Sequence, residues 1–285
     1  MIQYLLWRVS LLVWRIIPLK VGYRLADFVG DLTYLGWPKG RRYAIENMRR
    51  VLGITADRRS VHEVARQSLR NYCRYLVDFI RFPLLKREDI RRKVIFDGWD
   101  NLDLALKDGK GAIFIGLHFG NWDLAAAVAA SRDYPFNVIA ETFGYPPLNR
   151  LVQEARRQRG MKVIPMERAA SGIVRALRRN EILALLIDRP SPEDGVLVNF
   201  FGSPTKVPSG PAVLALKTGA KLVPAGLVRL PNDMFLGMVD QFIEISPSGN
   251  FQSDVQAVTQ RIIDSLEGMV RRFPEQWFAF RRMWV

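Results

Sequence analysis

A histidine and an aspartate, five residues apart, stand where a predicted strand gives way to a predicted helix. His118 directly follows the apolar run at 112–117, which is typical of a buried strand. Asp123 falls in the first turn of the alanine-rich helix predicted over 122–131. Histidine accepts a proton near neutral pH, and a carboxylate on its other ring nitrogen would fix the tautomer and stabilise the imidazolium. The pair is therefore a candidate general base with its orienting group.

The same two residues also fit structural roles. An aspartate in a first helical turn is favoured by the helix dipole without any catalysis, and Asn121 is a suitable N-cap for that helix. A single histidine at a strand end can equally be a hydrogen-bonded structural residue. The only other histidine, His62, lies at the polar start of a helix predicted over 60–82 and is interpreted as a surface residue. Spacing alone leaves both interpretations of His118 and Asp123 open.

Two further strand ends carry polar residues that would meet near this histidine. One predicted strand is followed by Glu141, and another, over 182–187, is followed by Asp188 and Arg189. Ligands of open α/β sheets sit beyond the carboxyl ends of strands, so we expect these ends and His118 to form one crevice. The alternative for Asp188 is an ordinary turn residue before a proline.

The elements that position these residues follow from the alternation along the chain. From about residue 91, strand-like runs alternate with helical ones, and the last two strands follow each other without a helix. This pattern predicts an α/β fold with a mixed central sheet flanked by helices. We divide the chain into an N-terminal helical, membrane-associating region over 1–90 and an α/β catalytic region over 91–285. The predicted strands cover 93–96, 112–117, 136–140, 162–164, 182–187, 196–200, 221–229 and 234–245, and the predicted helices of this region cover 100–107, 122–131, 147–159, 169–179, 209–218 and 252–272.

The first 36 residues have the composition of a helix lying in a membrane interface. Arg8 and Arg15 are seven residues apart, as are Trp7 and Trp14. Tryptophan suits headgroup depth and arginine suits lipid phosphates. Charges interrupt every apolar run before the roughly 20 residues that span a bilayer, and no signal peptide is predicted. Packing of this helix on the domain is the alternative.

The chain is strongly basic, with 42 Lys and Arg against 28 Asp and Glu and a net charge of +14. Such a surface attracts phosphates of nucleic acid, of lipid headgroups, of coenzyme A or of an acidic carrier protein. No nucleic-acid motif is present, so nucleic acid is not an expected partner. The single cysteine, Cys73, rules out an internal disulfide and a cysteine-based metal site, and its helical pattern predicts a buried residue. A basic helix predicted over 38–50 carries four candidates for contact with anionic lipid: Arg41, Arg42, Arg49 and Arg50.

The segment Leu117-His-Phe-Gly-Asn-Trp-Asp-Leu124 resembles the H-x4-D motif of the bacterial lipid A biosynthesis and phosphatidylinositol mannoside acyltransferases, within the lysophospholipid acyltransferase superfamily. Five further segments follow in the order this family shows, and the resemblance extends more loosely over the N-terminal part. It implies transfer of a fatty acyl chain from acyl-CoA or acyl-carrier protein to a hydroxyl of a glycolipid or lysophospholipid, without metal or further cofactor. The expected location is the cytoplasmic face of the bacterial cell membrane, with peripheral or monotopic attachment. The five segments cover 185–189, 199–202, 208–212, 222–229 and 274–282.

The resemblance also implies roles for single residues. Within it, Asp123 orients the base His118, and the family places an acidic residue at Asp188. It also uses an arginine about forty residues past the histidine to hold an anionic group, for which a guanidinium fork is well suited. Arg150, Arg156 and Arg157 all fit that position, and the sequence does not choose among them. The other substrate-binding candidates are Glu141, Arg189, Arg229 and Ser209, the last of which is either an anion contact or simply a helix N-cap.

Two other functions fit parts of the sequence. A lipid or thioester hydrolase would use the same His/Asp site with water as the acceptor; the chain has no G-x-S-x-G, which argues against a serine hydrolase. A non-catalytic basic protein bound to membrane or nucleic acid fits the charge alone. The sequence leaves three kinds of acceptor open: lipid A precursor, phosphatidylinositol mannoside and another glycolipid.

Overall fold

The computed structural model describes residues 9, 13, 16–140, 144–165 and 169–285. The helices are α1 Leu19–Gly36, α2 Pro38–Leu52, α3 Arg58–Arg81, α4 Arg87–Lys93, α5 Trp99–Leu106, α6 Trp122–Ser131, α7 Pro146–Gln158, α8 Ala169–Arg178, α9 Gly210–Thr218 and α10 Phe251–Arg272, with short 3-10 turns at Phe82–Leu84 and Pro274–Gln276. The strands are β1 Val94–Asp97, β2 Ala112–Gly116, β3 Phe136–Ala140, β4 Lys162–Pro165, β5 Ile182–Leu186, β6 Val196–Phe200, β7 Ser203–Val207, β8 Lys221–Arg229 and β9 Phe235–Val239.

Seven strands form one sheet in the order β1-β9-β8-β2-β5-β3-β4. The strands from β8 to β4 run parallel, whereas β8 and β9 pair antiparallel. The mixed central sheet flanked by helices is therefore confirmed, together with antiparallel pairing of the late strands. The prediction missed β7, whose second residue is a proline that normally argues against a strand. It also ran β9 six residues too long, since the strand ends at Val239.

The central strand β2 is buried on both faces. Its five residues are all buried, and alternate side chains enter two different apolar clusters. Ile113 and Ile115 pack with the N-terminal helices and α10, whereas Ala112 and Phe114 pack with α5, α6 and α7. A parallel strand that is covered on both faces has a nearly continuous apolar sequence. This double burial holds the end of β2, and with it His118, in a fixed place.

Helix α1 lies against α3 through small residues and ion pairs. Gly30 lets the two backbones approach, because a Cβ there would lie 2.6 Å from Cα of Arg70. Arg70 and Arg66 both donate to Asp31, and Arg74 donates to Asp27 at 2.5 Å. The contacts make α1 an integral layer of the described structure.

The opposite face of α1 is apolar and exposed. Phe28 is 61% exposed and Leu35 is 66% exposed, and four further apolar residues share this face: Val21, Leu25, Val29 and Leu32. Nowhere in the described chain is a helix both long and apolar enough to cross a membrane. Trp7, Trp14, Arg8 and Arg15, on which the predicted interfacial helix was based, lie outside the described residues.

Helix α2 is joined to the C-terminal segment through Asn47. Its amide donates to the carbonyl oxygens of Ala279, at 2.7 Å, and Arg281, while its own oxygen accepts from the indole of Trp284. Asn47 is fully buried, so water cannot bond its side chain. These protein bonds supply the hydrogen-bond partners of both its amide nitrogen and its oxygen. The N-terminal helices and the end of the chain therefore close over one side of the sheet together.

Candidate active site

The register of two neighbouring parallel strands brings His118 and Asp188 together. Gly116 of β2 pairs with Leu186 of β5, so the residues two positions beyond each strand are also neighbours. His118 Nδ1 lies 2.7 Å from Asp188 Oδ1, and the backbone N–H of His118 donates to Oδ2 at 2.9 Å. The predicted meeting of these two strand ends is thus what the geometry shows.

Asp188 is held as a carboxylate in a dry setting. Its side chain is 2% exposed, and the indole N–H of Trp277 donates to Oδ2 at 3.0 Å. Burial alone would raise the pKa of Asp188, but the charge and hydrogen bonds of His118 and the Trp277 bond outweigh it and hold the pKa below its usual value. An ionised Asp188 accepts hydrogen bonds, so the proton between the two side chains sits on His118 Nδ1.

The other ring nitrogen of His118 is then the basic one. With the Nδ1 proton directed at Asp188, the neutral imidazole keeps its lone pair on Nε2. The side chain is 21% exposed, so part of the ring is open to a reactant. The ring packs edge-on against Trp122 at 5.2 Å between ring centres. The arrangement can take a proton from a hydroxyl and return it to a leaving group.

The loop that carries His118 is fixed by backbone contacts on two sides. Gly120 has a φ of +57°, and a Cβ at this position would overlap the carbonyl oxygen of Leu227. The N–H of Gly120 donates to Gln276 O, and the N–H of Phe278 donates to His118 O at 2.8 Å. Only glycine fits such a close approach in this conformation. The C-terminal segment therefore positions the loop after β2 as well as Asp188.

Asp123 has a different partner from the one expected. Its Oδ1 accepts from Arg156 Nε at 2.8 Å and its Oδ2 accepts from the Tyr75 hydroxyl at 2.9 Å. The expectation that Asp123 orients the imidazole of His118 is thus wrong, because Asp188 occupies Nδ1. Asp123 is 4% exposed at the start of α6, where its bonds join α6 to α3 and α7. It lies beside the histidine loop as half of a buried ion pair.

The structure distinguishes the three candidate arginines of α7. Arg156 is the one that reaches the H-x4-D segment, and its side chain is 14% exposed. Asp123 and Tyr75 keep the pKa of Arg156 above its ordinary value in spite of burial. Arg157 is exposed and lies 3.6 Å from Glu154 on the same helix, and Arg150 is exposed. Substrate binding by Arg156 or Arg157 stays a prediction.

Arg229 is at the predicted strand end but faces the protein interior. Its guanidinium pairs with Asp78 and lies between the rings of Tyr23 and Phe235, at 4.4 and 4.6 Å. Asp78 also accepts from Tyr23 and from Asn121. Arg229 was a substrate-binding candidate, but in this geometry the carboxylate of Asp78 already occupies its guanidinium. Arg229 links β8 to α1 and α3.

The remaining candidates are only partly placed. Ser209 stands at the N-cap of α9, but its side chain makes no capping hydrogen bond there. Arg189 follows Asp188 and is half-buried near Tyr72. Glu141 lies outside the described residues. Their roles in substrate binding stay predictions.

Sequence reasoning missed the two side chains that hold the aspartates. Trp277 is fully buried, and its indole nitrogen donates to Asp188. Tyr75 is buried on α3, and its hydroxyl donates to Asp123. Both residues carry a polar atom on an aromatic ring. A buried polar atom of this kind needs a hydrogen-bond partner, so a predicted buried Trp or Tyr indicates that a partner lies nearby.

Comparison with known proteins gives the family of the chain. The chain matches, over residues 1–285, the family described as bacterial lipid A biosynthesis acyltransferase. The chain belongs to this family and is an acyltransferase of lipid biosynthesis. The resemblance drawn from the sequence motifs is confirmed.

Individual relatives carry a more specific name. A phosphatidylinositol mannoside acyltransferase of Mycobacterium tuberculosis H37Rv is 32% identical over 248 residues, covering 84% of this chain and 76% of the relative. One from Mycolicibacterium smegmatis is 29% identical over 277 residues, covering 93% of this chain and 89% of the relative. An enzyme of this type takes an acyl donor and a lipid acceptor.

Proposed function

We propose that this acyltransferase moves a fatty acyl chain from an acyl thioester to a hydroxyl of a glycolipid, with His118 as the general base. The observation that carries the proposal is the hydrogen bond between His118 Nδ1 and Asp188, which leaves Nε2 as the basic nitrogen. Histidine is the side chain best suited in general to proton transfer near neutral pH.

The reaction follows from that one basic nitrogen. The acceptor hydroxyl attacks the thioester carbonyl while Nε2 takes its proton, giving a tetrahedral intermediate and an imidazolium. The intermediate collapses, the carbon–sulfur bond breaks, and the thiolate leaves with the proton that Nε2 returns. Asp188 stabilises the imidazolium that exists between these two steps. The scheme needs no covalent acyl-enzyme, metal or further cofactor.

The partners are proposed from the relatives and from charge. The relatives' names support a phosphatidylinositol mannoside as the acceptor. A net charge of +14 suits the phosphates of acyl-CoA or an acidic acyl-carrier protein as the donor. Either donor supplies the thioester that the proposed chemistry uses.

We also place the enzyme on the cytoplasmic face of the membrane, attached peripherally. The exposed apolar face of α1, with Phe28 and Leu35 among its most exposed residues, supports this placement. A contiguous exposed apolar surface on a helix is typical of a protein that lies on a membrane or a partner.

The test is thiol release from palmitoyl-CoA in detergent, with and without a lipid extract rich in phosphatidylinositol mannosides. His118→Ala should lower extract-dependent release about a thousandfold, within the usual range for loss of a general base. Lys107→Ala is the control, because that residue is exposed just after α5 and before β2, whereas His118 follows β2. Mass spectrometry of the lipid product identifies the acceptor.

The same assay separates the competing function. Release that is equal with and without the extract, but lost in His118→Ala, would indicate a thioester hydrolase at the same site. Release that His118→Ala leaves intact would remove His118 from the mechanism. If palmitoyl-CoA gives no release, the assay is repeated with palmitoyl-acyl-carrier protein, and failure with both donors rejects the proposed donors.

A further inference from the structure

A basic pocket opens where α1, α2 and α3 meet, at the far end of α3 from the active site. Its volume is about 580 Å³. We call it the arginine pocket, and the lining residues that matter here are Tyr34, Arg41, Arg42, Arg49, Arg58 and His62. The Tyr34 hydroxyl and His62 Nδ1 are 2.9 Å apart, which ties the end of α1 to the start of α3 at the back of the pocket.

No described carboxylate neutralises the positive charge of the arginine pocket, although Arg41 and Arg42 lie over the rings of Tyr34 and Tyr43, at 5.7 and 5.4 Å. Within the described ranges, the arginines of the pocket form no ion pair with a carboxylate. The arginines further along α3 differ: Arg66 and Arg70 are paired with Asp31, and Arg74 is paired with Asp27. Four guanidinium groups around one opening are therefore available to an anion from outside, and guanidinium is the side chain best suited to phosphate.

The arginine pocket is separate from the reaction site. His62 lines the pocket and Tyr75 bonds Asp123 beside the histidine loop, and both lie on α3. Thirteen residues of helix separate them, which corresponds to about 20 Å along the axis. A phosphate in the pocket is thus too far from His118 to belong to a small group reacting there.

The surroundings of the arginine pocket are apolar and exposed. Leu35 is 66% exposed and Trp37 is 42% exposed, directly before the α2 residues of the pocket. Ile54 is 91% exposed in the turn before Arg58. The exposed face of α1 ends at the same corner. Arginines beside exposed leucine, isoleucine and tryptophan match a lipid surface, in which phosphates lie directly above acyl chains.

We propose that the arginine pocket binds the headgroup phosphate of anionic phospholipids in the membrane surface. The pocket then anchors one end of α3 while the apolar face of α1 lies on the bilayer, which fixes the orientation of the crevice at the other end of α3. The inference rests on the proposed membrane placement, and it assigns the pocket to lipid of the bilayer rather than to donor or acceptor.

The test is sedimentation of the full chain with vesicles of phosphatidylcholine alone and of phosphatidylcholine with phosphatidylglycerol. The double variant Arg41→Gln/Arg49→Gln should bind the anionic vesicles roughly thirtyfold more weakly, about fivefold for each arginine. Its weaker binding to neutral vesicles should be unchanged. The matched control Arg175→Gln/Arg178→Gln removes the same charge from exposed positions of α8 and should keep wild-type binding apart from a small change.

Three outcomes overturn the proposal. Equal losses in the two double variants would show a general effect of net charge, and no loss in either would show that the pocket does not hold lipid. A raised KM for palmitoyl-CoA in detergent in Arg41→Gln/Arg49→Gln would assign the pocket to coenzyme A phosphates instead. Sedimentation needs no turnover, so a failure of acyl transfer leaves this result readable, and His118→Ala should bind vesicles as the wild type does.

Discussion

Two buried aspartates lie on either side of the same loop and have chemically different partners. Asp188 faces an imidazole and an indole N–H, and its side chain is 2% exposed. Asp123 faces a guanidinium and a phenol, and its side chain is 5% exposed. The two side chains are about equally buried, so a difference in what the two carboxylates can do comes from the chemistry of their partners.

The partner decides whether a proton can move. An imidazole gains and loses a proton near neutral pH, so a carboxylate beside it can stabilise a charge that appears only during a reaction. A guanidinium stays charged, so the carboxylate beside it has a permanent counter-ion and a fixed position. We therefore propose that Asp188 takes part in the chemistry and that Asp123 holds the loop, and substitutions at each residue test this proposal.

The largest effect is expected from Asp188→Asn. The amide can accept from the backbone N–H of His118 but cannot stabilise an imidazolium, and it can hold the ring in the wrong tautomer. Turnover should fall on the order of 10³- to 10⁴-fold, as in hydrolases that lose the equivalent charge. The measurement is kcat for acyl transfer, with Asp188→Glu as the variant expected to recover part of the rate.

Asp188→Asn should also change the acid dependence of stability. The lowered pKa of Asp188 means that its carboxylate stabilises the fold above the usual aspartate range and loses this effect as pH falls through the lower folded value. Thermal melts from neutral to acid pH should show a shallower loss of stability in the variant. For the turnover prediction, a kcat of Asp188→Asn within tenfold of the wild-type value would contradict a role of Asp188 in the chemistry.

Asp123→Asn should act mainly on stability. It leaves the guanidinium of Arg156 buried without its counter-ion, a change that costs about 3 kcal/mol for buried pairs. Chemical denaturation measures this loss, and the pH profile of kcat should keep its wild-type shape in the folded fraction. The double variant Asp123→Leu/Arg156→Met removes both charges and should be more stable than Asp123→Asn. A shifted pH profile would place Asp123 in the proton transfer after all.

The parts of this site that could be predicted from sequence are the local ones. The apolar run before His118 and the alanine-rich stretch after it define β2 and α6 almost to the residue. Asp188 could be expected nearby because parallel strand ends meet at one edge of a sheet. The choice between Asp123 and Asp188 could not, since it depends on the register of two strands whose residues are 70 positions apart.

The longer-range contacts could not be predicted from the sequence for the same reason. Trp277 reaches Asp188 across 89 positions, and Asn47 reaches the C-terminal segment across more than 230. The pattern of each segment indicates that its aromatic or polar residue is buried, but not which partner satisfies it. These partners meet because the C-terminal segment lies against both the loop after β2 and helix α2.

Trp277→Phe sharpens the comparison from the side of Asp188. Phenylalanine keeps most of the apolar packing but removes the N–H that shares the Asp188 carboxylate. A carboxylate without that bond stabilises the imidazolium more strongly. The acid limb of the kcat/KM profile should therefore move to higher pH, and turnover at acid pH should be about tenfold lower. Trp284→Phe is the control, because that indole donates to Asn47 instead. Identical pH profiles for the two variants would show that Trp277 only packs.

The smallest effect is expected from Tyr75→Phe, which tests the side of Asp123. The variant removes one hydrogen bond to a carboxylate that keeps its ion pair with Arg156, so the free energy of unfolding should fall by about 1–2 kcal/mol. The ring stays against Trp122, 4.1 Å between centres, so the wall beside His118 is kept. Because the bond lost here supports a permanent ion pair and not a transient charge, the pH profile of turnover should be that of the wild type. A shift like that of Trp277→Phe would mean that the two aspartates are coupled through the loop, and the separation of chemistry from architecture would fail.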